Sequence, residues 1–166
     1  EEFERAIKLD PAYSDAHINL GNMAADEGNS TLAKKHFRLA LENLEYKLRH
    51  RALTNLALMA LKESKVDEAK TLLFQSAQVN PNFCLTHLLL GSIYMHENAP
   101  TKATEEFRQS VASTCANNVE GHFQLGMAYL KGKQFDKARA SLAFVVEQFP
   151  QSLQAQKAGD ILKDVP

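Results

Sequence analysis

HINLGNMAADEGNSTLAKKHFRLALE, residues 17–42, is the stretch that decides the fold. Two runs of helical character flank the break at Gly28-Asn29-Ser30. Gly21 lies in the first run, and Ala33 and Phe37 lie in the second. Two antiparallel helices approach to about 8–10 Å where small side chains face each other. The stretch therefore predicts a helix–turn–helix hairpin whose helices meet at these small residues.

The same pattern occurs four times along the chain. The marker pairs recur at intervals of 36, 34 and 35 residues, and they are Leu20-Gly21, Leu56-Ala57, Leu90-Gly91 and Leu125-Gly126. An alanine follows twelve residues after the small member of each pair, and a large apolar residue follows four residues later. Prolines end three of the units, at positions 11, 81 and 150, because proline cannot continue a helix. We therefore predict an all-α chain of stacked hairpins.

These marks divide the chain into repeats within a single predicted domain, 1–166. The predicted units are the second helix of a truncated repeat at 1–11, full repeats at 14–47, 48–82, 83–117 and 118–150, and a capping helix at 151–164. The predicted helices of the full repeats are 14–27, 30–44, 48–63, 66–79, 83–97, 100–113, 118–131 and 135–148. Because the chain opens in the middle of a unit, we expect further repeats before Glu1.

Composition and charge exclude several function classes. The 166 residues are 45% apolar and 23% charged, which is typical of a globular protein. A net charge of −1 provides no field that would gather phosphate backbone, so nucleic acid is not an expected partner. No apolar stretch approaches the roughly 20 residues that a membrane span needs, and the acidic opening is unlike a signal peptide.

From Phe3 to Pro150 the chain resembles the tetratricopeptide repeat family, whose pattern is Trp-x2-Leu-Gly-x2-Tyr, then Ala-x3-Phe, then Pro. Tyr94 and Tyr129 match the family's tyrosine. The positions where the family often has Trp hold His17, Leu53, His87 and His122, and Ala24 and Ala60 stand in place of Tyr. The resemblance implies a superhelix of antiparallel helix pairs with a C-terminal capping helix, whose first helices line an inner face.

The sequence offers no motif for catalysis or cofactor binding. Three of the six histidines share one repeat position, which places them a helix pair apart rather than around one ion, so we interpret them as packing residues. No zinc-ligand spacing, phosphate-binding glycine loop or nucleophile elbow occurs. We therefore expect no enzyme activity, no metal and no cofactor.

The two cysteines lie at neighbouring helix ends of the third repeat. Cys84 starts the first helix, and Cys115 follows the end of the second. A disulfide between them would imply an oxidising compartment such as the periplasm. Two unpaired, partly buried thiols remain the alternative.

The predicted partner-binding groove lies on the inner face, along positions spaced i, i+3, i+7 and i+10. Its residues are Ile18, Asn22, Arg51, Asn55, Leu58, Leu61, Leu85, Leu88, Met95, Phe123, Met127 and Leu130. The apolar second half suits an amphipathic helix or an extended apolar segment, and the asparagines could bind a peptide backbone or simply be solvated. The alternative is that the capping helix buries the C-terminal end of the groove.

A second resemblance rests on Tyr46-x2-Arg49-x-Arg51-x3-Asn55-Leu56-x-Leu58, which sits in the two-residue expansion between the first and second full repeats. It is similar to the pilotin-type lipoproteins of type IV pilus biogenesis. The resemblance implies a protein anchored to the periplasmic face of the bacterial outer membrane by an N-terminal lipid before Glu1, helping secretin subunits to localise and multimerise. Arg49 and Arg51 could instead form surface ion pairs with Glu42 or Glu45.

Two other functions remain open. The chain could be a cytoplasmic adaptor for a signalling or motility protein, which predicts reduced cysteines. It could also be the regulatory repeat region of a larger enzyme, such as a glycosyltransferase.

Overall fold

The structure, a computed structural model, describes residues 2–166 and contains ten α-helices and one short 3-10 helix in that range, with no strand. The α-helices are α1 Glu2–Leu9, α2 Ser14–Asp26, α3 Ser30–Glu42, α4 Arg49–Lys62, α5 Val66–Val79, α6 Cys84–His96, α7 Pro100–Ser110, α8 Val119–Lys131, α9 Phe135–Gln148 and α10 Leu153–Leu162. The prediction of an all-α fold built from helix pairs is confirmed.

Most helices of the full repeats end within two residues of the predicted bounds, but α7 does not. It ends at Ser110, three residues before the predicted end at 113, and a 3-10 helix follows at Ser113–Cys115. The Asn118 side chain donates from Nδ2 to the Ser110 carbonyl oxygen over 3.0 Å. A helix leaves its last carbonyl groups without intrahelical partners, so this hydrogen bond stabilises the early end.

The turn inside each hairpin contains one residue with a positive φ angle. These residues occupy equivalent repeat positions and are Gly28, Ser64, Asn98 and Lys133, with φ angles of 78°, 60°, 57° and 57°. Only glycine adopts this left-handed conformation without steric cost. The fold therefore requires the conformation in all four hairpins, although only the first supplies glycine.

The described residues form two compact units, which divide after Pro81. Unit 1 contains α1 to α5, and its core gathers Ile18, Phe37, Leu56 and Met59 with alanines of α2, α3 and α4. A Cβ added at Gly21 would lie 2.5 Å from Cε1 of Phe37. The predicted small-residue contact between the two helices of the first hairpin is therefore a contact between glycine and an aromatic ring.

Unit 2 contains α6 to α10 and has two core clusters. One cluster joins Phe107 to Leu125 and to alanines of α7 and α8. The other joins Phe123 and Leu142 to Ala155 and Ala158 of α10. Because α10 supplies buried residues to this cluster, it covers the end of unit 2 as a cap does.

Candidate protein-binding faces

The first helices of two consecutive hairpins, α2 and α4, present a shared surface in unit 1. We name it the inner face of unit 1 and define it by Asp15, Asn19, Asn22, Asp26, Arg51, Asn55, Leu58 and Lys62. Positions 36 residues apart are equivalent in the two hairpins. All eight side chains are half-buried or exposed, so this surface remains open within unit 1.

Two asparagines meet at the centre of this face. Asn55 donates from Nδ2 to Oδ1 of Asn22 over 2.8 Å. This pairing leaves the two N–H groups of Asn22 and the Oδ1 acceptor of Asn55 available. They border a groove of about 540 Å³ that is also lined by Leu58 and Met59. The arrangement can bind both the carbonyl and the amide groups of a peptide backbone.

The expanded junction between the first two hairpins closes one end of the face. Tyr46 in this junction donates a hydrogen bond from its hydroxyl to Oδ1 of Asp15. Burial raises the pKa of Tyr46 above its ordinary value, and the Asp15 carboxylate raises it further. The hydroxyl therefore stays protonated as a donor and attaches the junction to α2.

Arg51, on the same face, forms no hydrogen bond or ion pair within residues 2–166. The interpretation that it pairs with Glu42 or Glu45 is therefore wrong for the described chain. The Arg51 guanidinium is exposed and available to an anionic group on a partner.

His17, which stands where the repeat pattern has Trp, contacts a second histidine, His36, in unit 1. His17 is buried, and its Nε2 lies 2.9 Å from the Pro11 carbonyl oxygen. A carbonyl oxygen only accepts, so Nε2 carries the proton and Nδ1 of His17 accepts from Nδ1 of His36, 3.0 Å away. Burial lowers the pKa of His36, and His17 and Lys35 lower it further. His17 therefore packs and hydrogen-bonds within the hairpin.

The equivalent histidines of unit 2 are held in similar ways. His87 Nδ1 lies 2.8 Å from Oε2 of Glu106, which occupies the position equivalent to His36. His122 Nε2 lies 2.8 Å from the Ala116 carbonyl oxygen, and the His122 ring packs at a tilt against Phe144, with the ring centroids 4.6 Å apart. Within residues 2–166 no group of three or more His, Cys, Asp or Glu side chains is placed to hold a metal ion.

The inner face of unit 2 is formed by α6 and α8 and is largely apolar. Leu85, Leu88, Met95 and Leu130 are half-buried there. Lys131 closes one end by donating from Nζ to the Met95 carbonyl oxygen over 2.8 Å.

Two predicted groove residues are not surface residues. Ile18 is 1% exposed and lies in the core of unit 1, and Phe123 is 8% exposed and lies against the α10 cluster. The prediction that these two line an exposed groove is corrected. Their shared repeat position also holds Thr54, which is fully buried. This position points between helices in three of the four hairpins, because its side chain fills space beside the neighbouring first helix.

The capping helix also occupies the edge of the unit 2 face at Glu120. Gln154 of α10 donates from Nε2 to Oε2 of Glu120 over 2.8 Å, and Gln124 donates to the other carboxylate oxygen over 2.7 Å. Met127 packs against the cluster that contains α10 and remains half-buried. The cap therefore covers part of the predicted C-terminal end of the groove, while α6 retains partly exposed leucines.

The two cysteines are brought together in unit 2. Cys84, at the start of α6, and Cys115, in the 3-10 helix, form a disulfide with a Cα–Cα separation of 5.7 Å. The linkage joins the beginning of the α6–α7 hairpin to the segment that leads into α8.

Sequence reasoning missed two residues of the unit 1 face, Asp26 and Lys62. Neither forms an ion pair within residues 2–166. The signal was present in the repeat register, because these positions are equivalent and carry opposite charges, as Asp15 and Arg51 do. These two residues were missed because the groove was predicted mainly from apolar side chains, and Asp26 and Lys62 are charged.

None of the helices in residues 2–166 combines the length and the hydropathy that crossing a bilayer requires.

Comparison with known proteins identifies the repeats. Residues 1–47 and residues 120–152 match family models for the tetratricopeptide repeat. A solved structure of pilF from Pseudomonas aeruginosa is 19% identical, with 94% of this chain and 70% of that chain covered and a TM-score of 0.79. PilW, a type IV pilus biogenesis factor, is 17% identical, with 93% and 71% covered and a TM-score of 0.75.

Two further similar proteins have functions unrelated to pilus biogenesis in their names. YrrB, a tetratricopeptide repeat protein with an unusual peptide-binding site, is 23% identical, with 90% of this chain and 76% of that chain covered and a TM-score of 0.75. The protein O-mannosyl-transferase Tmtc3 of Drosophila melanogaster is 26% identical over 146 residues, which cover 88% of this chain. The chain spans only 16% of the length of Tmtc3.

The repeat matches and the fold together define the class of protein. Residues 1–47 and 120–152 are tetratricopeptide repeats, and a fold built from such repeats serves as a scaffold for protein–protein interaction.

Proposed function

We propose that this chain is a non-enzymatic assembly factor of type IV pilus biogenesis that binds a secretin subunit. It acts by differential binding: its inner faces hold an unassembled subunit and shield apolar surface until the subunits multimerise. The single observation that carries the proposal is the fold similarity to pilF and PilW across more than nine-tenths of the chain. The segment Tyr46–Leu58, on which the sequence resemblance to pilotin-type lipoproteins rests, contributes Arg51 and Asn55 to the inner face of unit 1.

The disulfide supports the location that this function requires. Disulfides persist in oxidising compartments, and the periplasm is one. A cytoplasmic adaptor would keep Cys84 and Cys115 reduced, so the linked pair favours an oxidising compartment, with which a periplasmic location is consistent. Attachment there would come from a lipid on a segment before Glu1.

Partner binding is assigned to the open residues of the predicted groove. In unit 1 these are Asn22, Arg51, Asn55, Leu58 and Leu61, and in unit 2 they are Leu85, Leu88, Met95, Met127 and Leu130. Leu58→Asp and Leu88→Asp place a charge on each face, and we expect at least one of them to abolish subunit binding. Leu32→Asp on α3 is the matched control, because Leu32 is exposed outside both faces.

The biological test is deletion of the gene in a piliated strain. Loss of secretin multimers, restored by the unaltered chain and not by the binding-deficient variant, supports the proposal. Normal secretin multimers and normal pili in the deletion strain would contradict it.

A second candidate function rests on a different observation. The match to Tmtc3 covers 88% of this chain, so the chain could be the repeat region of a larger glycosyltransferase that recruits a protein substrate. An immunoblot of the natural protein with an antibody against these repeats separates the two candidates. A product several times larger than the 18.5 kDa of this chain favours the second.

A further inference from the structure

The inner face of unit 1 carries four charges in a regular arrangement. Asp15 and Asp26 lie 11 residues apart on α2, and Arg51 and Lys62 lie 11 residues apart on α4. Eleven residues of helix span about 16 Å, or three turns, so each pair lies along one side of its helix. Acidic groups therefore border the face on α2, and basic groups border it on α4.

Three of these charges form no ion pair in the described chain. Arg51, Lys62 and Asp26 form no ion pair within residues 2–166, and Asp15 uses one carboxylate oxygen to accept from Tyr46. Equivalent positions of consecutive repeats thus carry opposite charges without a direct ion pair between them. A partner with a complementary arrangement can satisfy all of them.

The asparagine pair at the centre of the face favours a partner with an extended backbone over a helical one. Asn22 retains two N–H donors and Asn55 retains its Oδ1 acceptor after their mutual hydrogen bond. A helical partner has already paired its own backbone groups, whereas an extended segment presents both carbonyl and amide groups. The groove of about 540 Å³ beside Leu58 also leaves space for one apolar side chain.

We propose that the inner face of unit 1 binds an extended peptide segment of mixed charge, with a basic side chain against α2 and an acidic side chain against α4. Packed helices lie about 8–10 Å apart, and an extended chain advances about 3.3 Å per residue. The two charged residues of the segment are therefore about three positions apart, with an apolar residue between them. This inference rests on the proposed role as a protein-binding scaffold and names the chemistry of what is bound.

The test uses the 166-residue chain and three fluorescein-labelled, amidated peptides in fluorescence anisotropy. The mixed-charge probe is Gly-Ser-Lys-Leu-Ser-Glu-Gly-Ser. The acidic probe replaces its Lys with Glu, and the basic probe replaces its Glu with Lys. One exposed ion pair is worth up to about five-fold in affinity, so we expect the mixed-charge probe to bind up to about five-fold more tightly than either of the others.

Charge reversal on α4 provides the decisive comparison. The double variant Arg51→Glu with Lys62→Glu leaves acidic groups on both borders, so the basic probe should become the tightest binder. The matched control reverses two exposed charges of α3, Lys35→Glu with Arg38→Glu, and should keep the original order. An unchanged order in the α4 variant, equal binding of the three probes, or no binding up to roughly 1 mM would overturn the proposal.

These outcomes are separate from the test of the pilus role. Normal pili in the deletion strain reject the secretin function and leave the order of the three peptides as predicted. An absent charge preference rejects this inference even where secretin multimers depend on the chain.

Discussion

Gly91 faces Phe107 so closely that a Cβ on the glycine would lie 2.5 Å from Cε1 of the ring. The same contact joins Gly21 to Phe37 in the first hairpin, whereas Gly126 of the fourth hairpin faces Leu142, and the second hairpin has Ala57 and Leu73 at the equivalent positions. Phenylalanine therefore faces glycine in both hairpins that contain it, whereas leucine stands opposite glycine in the fourth hairpin and at the position equivalent to it in the second.

This relationship predicts a compensating pair of substitutions. Gly91→Ala should lower the free energy of unfolding by about 1 kcal/mol or more, because overpacking outweighs the gain in helix propensity. Phe107→Leu in the same chain should recover about 1 kcal/mol relative to the sum of the single changes, since it recreates the arrangement of the second hairpin. Urea unfolding of the four chains measures the coupling.

Gly159→Ala is the control for the glycine prediction. A Cβ there meets nothing closer than 4.0 Å, so the change should be neutral or stabilise α10 by up to about 1 kcal/mol. A Gly91→Ala chain as stable as the unaltered chain would disprove the steric account.

At the turn residues with a positive φ angle, introducing glycine should stabilise the fold and removing glycine should destabilise it. Ser64→Gly should stabilise unit 1 by up to about 1 kcal/mol, because it removes the steric cost of a positive φ angle. Gly28→Ala should destabilise the first hairpin by about 1 kcal/mol for the same reason. Thermal unfolding followed by circular dichroism reports both changes, and a stabilised Gly28→Ala chain would refute the assigned turn geometry.

The disulfide should make a large contribution to the stability of unit 2. Its sequence separation of 31 residues corresponds to roughly 3–4 kcal/mol in the chain-entropy description. Replacing both Cys84 and Cys115 with Ser should therefore lower the unfolding midpoint markedly, and dithiothreitol should lower that of the unaltered chain to a similar value. Dithiothreitol should leave the double variant unchanged, and an effect there would point to another cause.

The pairing of His36 with His17 predicts a pH dependence of stability. Burial lowers the pKa of His36 in the folded chain, so the unfolded chain binds the proton more readily. Stability is therefore fully present above the unfolded pKa of about 6.5 and decreases as the pH falls below it. His36→Gln keeps a donor for His17 and removes the titration, so its stability should depend less on pH between about 7 and 5. Equal slopes for the two chains in denaturant titrations would contradict this.

The repeat period predicted the fold from sequence because it records a contact that every hairpin needs. Leucine followed by a small residue marks the place where two helices meet, so helix order and most helix ends follow from it. The early end of α7 was not predictable from this pattern, since it depends on a hydrogen bond from Asn118 to Ser110.

The candidate site was less predictable than the fold. A helical spacing selects one side of a helix, but Ile18 and Phe123 show that positions near its edge turn inward when a neighbouring helix covers them. For Phe123 the covering element is α10, which follows it by about thirty residues in the sequence. Asn22 and Asn55 remained accessible because each can be half-buried while keeping hydrogen-bonding groups free.

The central claim is that α2 and α4 bind a protein segment across their asparagine pair. Two-dimensional NMR of the 15N-labelled chain tests it most directly, because the side-chain amides of Asn22 and Asn55 give their own signals. On addition of the mixed-charge peptide, we expect these signals and the backbone amides of α2 and α4 to shift, while those of α3 and α5 stay in place. Shifts confined to α3 and α5, or no shift at saturating peptide, would contradict the account.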